Sequence, residues 1–314
     1  MNTALLISPE AKSAYFQSYL DVAAKELLYV CGDVQYEHRI IGEMDFFFID
    51  GNPKMHSLLA RLSFVLGIFA VSGSQMIPIE QKTNFVLHED FVFGSKYKGK
   101  TNERLTQLLL NVGLATIASK NDEITIFDPM AGRGTTLFWA MRYGYSAYGT
   151  EIDPLATIDV QRHIKKWTKI HRQKHVLKEG FLGVKPNKKK EGVHIHWRAE
   201  QKTLDFVHAN SYDALRIFRE KQFSLLVSDI PYGVQHLSAQ GSRNPLQNIQ
   251  ESIPFWRKCL SSNGAIVLSF NRNLPKRDAL VEAFEKHDLH DVGFSAPHRM
   301  SESIIRDIAI FVPK

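Results

Sequence analysis

Apolar residues at Ala11, Tyr15, Tyr19, Val22 and Leu27 recur at helical spacing, and Ser8-Pro9-Glu10 ahead of them reads as a cap followed by proline in the first turn, so a helix is predicted over 8–29. Phe46-Phe47-Phe48-Ile49 reads as a short buried strand closed by Asp50-Gly51-Asn52-Pro53, and residues 54–70 as a second apolar helix. Together these make a small α+β unit. Residues 94–102, Gly-Ser-Lys-Tyr-Lys-Gly-Lys-Thr-Asn, are polar and basic and read as a linker, with Thr101 or Asn102 capping the next helix. From residue 103 strand and helix alternate: helices over 103–117, 134–143, 154–170, 211–220, 247–260 and 276–286, strands over 124–128, 146–150, 204–208, 223–228 and 264–270, and further strands near 290–295 and 306–312. Alternation of this kind builds a mostly parallel sheet with helices on both faces, and ligands sit beyond the carboxyl ends of its strands. Residues just after each strand therefore carry the chemistry.

Composition narrows the classes. A chain of 314 residues with 44% hydrophobic content can fill a core. Cys31 and Cys259 stand far apart in no paired spacing, which leaves no disulfide framework and no cysteine zinc site, and points to a reducing cytoplasm. The first residues lack the cationic start and apolar run of a secretion signal, and the most apolar stretch, Phe64 to Val71, falls short of the roughly 20 residues that span a bilayer, so no membrane segment is expected. Net charge is +6, with its source in one place: residues 161–190 hold eleven Lys or Arg against the single acid Glu179, a net of +10 that leaves −4 for the rest. This stretch belongs to an insertion, 165–200, about 30 residues beyond what a compact strand-helix-strand unit needs. Lys188, Lys189 and Lys190 suit contacts to an RNA backbone; the plainer alternative is a solvated loop.

The strand 124–128 runs into Asp128-Pro129-Met-Ala131-Gly132-Arg-Gly134-Thr135-Thr136 and then a helix. Glycine suits such a turn because a Cβ would block a positive φ or the approach of a ligand to the backbone, although many strand-to-helix turns carry one for steric reasons alone. Twenty-three residues after Asp128, the strand 146–150 ends in Glu151-Ile152-Asp153-Pro154. An acid there can accept from the ribose hydroxyls of an adenosine-containing ligand, or merely cap the next helix; Asp153 before proline suits the cap and leaves Glu151 for the ribose. A dinucleotide site wants a third glycine where Leu137 stands, and Asp128 would repel a pyrophosphate but suit the amino group and sulfonium of S-adenosylmethionine.

After the apolar strand 223–228 comes Asp229-Ile230-Pro231-Tyr232-Gly233. Asp229 can accept a hydrogen bond from an exocyclic amine and carry the positive charge that develops there, Pro231 fixes the backbone angle, and Tyr232 offers a face on which a base stacks for about 1–3 kcal/mol. A strand-ending turn of this composition also occurs for its turn chemistry alone. Arg243, in the polar stretch after Tyr232, can reach phosphate or a guanine edge.

These two motifs resemble the first motif and the Asp/Asn-Pro-Pro-aromatic motif of class I S-adenosylmethionine-dependent methyltransferases. Ile230 departs from the proline of adenine and cytosine enzymes, and the Asp-hydrophobic-Pro-aromatic-Gly form looks like the THUMP-associated tRNA guanosine N2-methyltransferases, whose motif order this chain shares. The resemblance covers about 94–314 and is thin before that. It implies a Rossmann-like fold with a seven-stranded mostly parallel sheet, domains over 1–94 (a small α+β leader, a degenerate THUMP-like RNA-binding unit) and 95–314, and S-adenosylmethionine as cofactor. Ile152 would pack the adenine, Asn210 and Ser211 would contact it, and Thr101 would border the cofactor methionine. Pro129, Ala131, Gly132, Gly134 and Thr135 would form the cofactor turn, with Ile230 and Gly233 beside the target base. The activity implied is methyl transfer to guanosine N2 in RNA, with tRNA as partner. The alternatives are a DNA adenine or cytosine methyltransferase, against which Ile230 argues, and a non-catalytic RNA-binding protein, against which the intact Asp128, Gly132, Glu151 and Asp229 argue. His171 and His175 stand one helical turn apart and His194-Ile-His196 could share a strand face; with no well-placed carboxylate to complete either set, no metal is expected.

Overall fold

The computed structural model describes residues 1–80, 85–97, 100–117, 123–182, 192–219, 221–230, 245–300 and 304–314. The chain divides into two units, Met1–Asn84 with Ala296–Arg306, and Phe85–Ser295 with Asp307–Lys314. Neither bound coincides with the expected 1–94 and 95–314. Residues 85–97 pack within the larger unit: Phe85 stacks on Tyr143 at 5.6 Å and Phe91 on Trp197 at 5.4 Å.

In the smaller unit five antiparallel strands run β2-β3-β1-β4-β5, where β1 is Thr3–Ile7, β2 Tyr36–Ile41, β3 Met44–Ile49, β4 Val65–Ser72 and β5 Gln75–Pro78. Ser8 caps α1 (Pro9–Tyr15) by accepting from the Ala11 amide. The single helix expected over 8–29 is two helices, because Phe16 at φ +48° ends α1 and a 3-10 turn leads into α2 (Tyr19–Cys31). The helix expected over 54–70 is a correction of a different kind: only His56–Leu59 (α3) is α-helical, and Val65–Ser72 is strand β4. Val65–Ser72 is apolar at nearly every position and so carries no period-2 alternation, and such a run cannot be told from a buried helix by periodicity.

The larger unit is built on a sheet of order β13-β15-β12-β11-β6-β7-β10-β9-β8, where β6 is Thr125–Asp128, β7 Ser146–Glu151, β8 Val176–Phe181, β9 Val193–Ala199, β10 Lys202–His208, β11 Phe223–Asp229, β12 Leu260–Asn271, β13 Leu289–Asp291 and β15 Ile305–Pro313. Strands β10, β7, β6, β11 and β12 are mutually parallel neighbours, and β13 pairs antiparallel with β15. These seven strands are the Rossmann-like sheet the sequence implied. The two-residue β14 (His298–Arg299) pairs with Ile305 and Arg306 at the start of β15. Strands β8 and β9 add an antiparallel hairpin on the β10 edge, so the basic insertion extends the sheet rather than forming only a loop. Helices α5 (Glu103–Thr116), α6 (Thr135–Arg142), α7 (Pro154–Ile170), α9 (Pro245–Cys259) and α10 (Arg277–Glu285) join them, with short turns α4 (Asp90–Phe93) and α8 (Ala214–Ile217). The expected helix over 211–220 is therefore only a 3-10 turn over Ser211–Asp213 and the single turn α8. Asn102 caps α5 through the Arg104 and Leu105 amides, and Asp153 caps α7 through the Leu155 amide. Phe127, Val207, Leu226, Ile253, Trp256, Leu268 and Phe311 are among the side chains of the core that fixes the central strands. Among the described residues no helix is long and apolar enough to cross a membrane.

Candidate active site

Strands β6, β7 and β10 progress to one side of the sheet and β11 and β12 to the other, so the strand order reverses between β6 and β11. In open α/β sheets the ligand crevice lies outside the carboxyl ends of strands at that reversal. Asp128 ends β6 and Asp229 ends β11, which puts the glycine turn and the start of the tetrapeptide at neighbouring strand ends. A direct bond ties the two strand ends: Ser228 Oγ, one residue before Asp229, donates to Asp128 Oδ1 at 2.9 Å.

Asp128 is 3% exposed and also accepts from the Met130 amide at 3.0 Å. Burial pushes its carboxyl up to about 7, the charge of Glu151 adds to the rise, and hydrogen bonds from Thr136, the Met130 amide and Ser228 oppose it. The turn after it is held by the Ala131 amide donating to Thr150 O at 3.0 Å, Thr150 Oγ1 donating to Pro129 O at 2.8 Å, and the Gly134 amide donating to Ala131 O at 2.7 Å. Gly132 and Gly134 both take positive φ, +52° and +80°, as the sequence required of them. A Cβ placed on Gly132 would meet nothing within 4 Å, so the backbone there faces open space that a ligand can enter. Thr135, buried, opens α6 directly behind it.

Glu151 is not idle. Its Oε2 accepts from the Gly132 amide at 2.8 Å and its Oε1 from the Asp153 amide at 2.9 Å, so one carboxylate ties the end of β7 to the glycine turn. Each oxygen accepts one bond here and has capacity for another, which suits two ribose hydroxyls. Asp153 is the cap, as expected, and Arg133 braces it at 2.6 Å while also holding Asp159 at 2.9 Å. Ile152 is 49% exposed, an apolar face at the site, and its carbonyl lies 3.0 Å from His208 Nε2. Asn210 follows β10, whose His208 pairs with Glu151 across the parallel register. Ser211 is buried with its Oγ 3.2 Å from Ser252 Oγ on α9, a packing contact. Thr101 sits just ahead of the α5 cap, where Lys100 is pinned by Val92 O, Ser95 O and Glu103. Ile230 is buried and its amide donates to Ser269 O on β12 at 2.8 Å. Pro231, Tyr232, Gly233, Arg243, Lys188, Lys189 and Lys190 lie outside the described residues.

Sequence reasoning missed Ser228 and His208, because neither carries a local motif and both act through partners far along the chain. It also missed two carboxylates beside histidines. Asp205 lies between His194 and His196, and His171 pairs with Asp90 near His88 rather than with His175, so the expectation that no carboxylate completes those sets is corrected.

No protein-family model matches the sequence, and no curated protein is similar to it. Among solved structures the chain is similar to TrmN from Thermus thermophilus (11% identity, covering 90% of this chain and 60% of that one, TM-score 0.47). It is also similar to the magnesium protoporphyrin IX methyltransferase of Synechocystis PCC 6803 with bound SAM (11%, 72% and 89%, 0.44) and to an rRNA methylase from Streptococcus thermophilus (10%, 68% and 98%, 0.40). The chain thus spans about 60% of the length of the TrmN chain it matches. By its own strand order and the reversal between β6 and β11, the larger unit has a Rossmann-like fold, the fold that the resemblance to class I methyltransferases implies.

Proposed function

We propose that the chain is an S-adenosylmethionine-dependent methyltransferase acting on the exocyclic N2 of guanosine in RNA, with tRNA as the substrate class. The observation that carries this reading is the Ser228 to Asp128 hydrogen bond, which ties the strand end that opens the cofactor-type turn to the strand end one residue before Asp229, at the strand reversal. The site fits the cofactor: an acid beside the turn suits a cation, Gly132 leaves its backbone open, and Glu151 has acceptor capacity for a ribose. When bound, S-adenosylmethionine would supply an electrophilic methyl group on a sulfonium that leaves as a neutral thioether, and the proton given up by the methylated amine would pass to solvent. Asp128 and Glu151 hold the cofactor, Ile152 packs its adenine, and Asn210 accepts from the adenine amino group. Asp229 accepts from the substrate amine and turns its lone pair towards the methyl, so that rate comes chiefly from placement. Tyr232 stacks the base, which must leave its own stack to arrive. The basic insertion, Lys188 to Lys190 above all, holds the RNA backbone.

Incubating the protein with isotope-labelled cofactor and total RNA, then digesting to nucleosides for mass spectrometry, should yield labelled N2-methylguanosine. Label in another nucleoside, or only in DNA, would remove the guanine assignment. Asp229→Ala should cut transfer at least a thousandfold while leaving cofactor affinity within about twofold; equal loss of both would remove Asp229 from the amine.

A further inference from the structure

Away from the glycine turn, two groups of histidine and aspartate side chains among the described residues gather ligand-type atoms, and geometry separates them. In the first, Asp90 Oδ2 lies 2.9 Å from His171 Nε2 and 3.4 Å from His88 Nδ1. The two imidazoles stack face to face, centroids 3.7 Å apart and planes inclined 19°, so their in-plane lone pairs run side by side. His88 Nδ1 already accepts the Asp90 amide at 3.2 Å. One ion cannot lie in both ring planes.

The second group is arranged differently. His194 and His196 are alternate residues of β9 and so share a face, and Asp205 on β10 stands directly opposite His196 in the antiparallel register. Asp205 Oδ1 lies 2.6 Å from His194 Nε2 and 2.8 Å from His196 Nδ1. The rings are 6.1 Å apart and inclined 58°, so both nitrogens converge on one oxygen. The side chains are 17%, 31% and 15% exposed, held by the sheet yet reachable from solvent. Two imidazole nitrogens and a carboxylate oxygen, on adjacent strands with a fixed register, are a donor set suited to divalent ions of the zinc class rather than to magnesium or calcium.

We propose that His194 Nε2, His196 Nδ1 and the Asp205 carboxylate bind a divalent first-row transition cation, zinc being the type case, with water in the remaining position. Without metal, each ring N–H donates to Asp205. On binding, the two nitrogens that face the ion offer lone pairs, so each imidazole holds its proton on the other ring nitrogen. A tetrahedral ion with bonds of about 2.0–2.2 Å holds its ligand atoms about 3.3 Å apart, so the two N···O contacts open by about 0.6 Å. The ion then clamps β9, which leads out of the basic segment, to β10, which leads to Asn210.

Titrating the full chain with zinc chloride by calorimetry should show one saturating equivalent and a melting temperature that rises with zinc concentration. Asp205→Asn keeps an acceptor oxygen for the rings and should weaken zinc binding at least tenfold; His194→Gln with His196→Gln should abolish it; His88→Gln should leave it unchanged. Absence of saturable binding overturns the proposal, as does binding that survives the double change. Should the double variant fail to fold by circular dichroism, X-ray absorption on zinc-loaded His88→Gln protein decides: two imidazole nitrogens are expected, and a shell without them overturns the site.

Discussion

Replacing Asp128 with asparagine should strengthen the fold and weaken the function at the same pH. With its folded-state value pushed from 3.8 to about 7, Asp128 stays protonated in the native chain over a span of about three pH units in which the unfolded chain has already lost its proton. The unfolded state then binds fewer protons, so stability falls as pH rises, by about 1.4 kcal/mol per unit. The contribution is complete below about 4, drains through the interval and is gone above about 7, a total on the order of 4 kcal/mol. Asp128→Asn keeps the volume and an acceptor for the Ser228 hydroxyl and the Met130 amide while carrying no charge. Some of the gain is lost in seating an amide NH₂ near Thr136, so the variant should match wild type near pH 4 and exceed it by about 2–4 kcal/mol at pH 8. Urea denaturation of both proteins across pH 4–8 reads this as a difference, in which the titration of groups not coupled to Asp128 cancels. Cofactor binding should move the other way. A cation at the turn needs the ionised acid, so wild-type affinity should climb as pH approaches 7 and level above it, and the variant should bind about 10- to 100-fold more weakly at pH 8, the worth of one charged hydrogen bond. A variant less stable than wild type at pH 8, or one with undiminished S-adenosylmethionine affinity by calorimetry, would refute the argument.

Three further changes probe the same site. Glu151→Gln leaves either the Gly132 or the Asp153 amide without its acceptor and should cost about 1–3 kcal/mol of stability, with cofactor affinity down at least tenfold and turnover at saturating cofactor preserved; a fall in saturated turnover alone would contradict the ribose role. Ser228→Ala removes a donor from a buried carboxylate and should lower stability at pH 8 by about 1–3 kcal/mol in denaturant titrations; no change would mean the bond between the two strand ends carries no energy. Changing Lys188, Lys189 and Lys190 together to alanine should reduce the slope of log affinity for RNA against log salt by up to about 3 in filter binding, and an unaltered slope would reduce that run to a solvated loop.

How much of this was legible in the sequence depends on the range over which each feature is encoded. Helix α7 was readable to the residue because its cap, its first-turn proline and its apolar stripe are all local, and Asp153 does cap it. The same holds for the glycine turn, where positive φ at Gly132 and Gly134 leaves a mark in the residue type itself. Strand β4 was not readable, since Val65–Ser72 becomes a strand through β1 and β5 on either side, and a run apolar at nearly every position has no period to betray it. Histidines two apart on a strand were visible, but the aspartate that completes them is set by the β9–β10 register, which no local pattern states. At the candidate site the division matters most. Asp128 and Asp229 could each be picked out by motif, yet what makes Asp128 an acid titrating near 7 is its burial at the end of β6 and the charge of Glu151 at the glycine turn, held in check by a serine 100 residues away. Residue types with a chemical role are written in short stretches of chain; the values that tune them come from parallel strands pairing across the sheet, and only a fold can supply those.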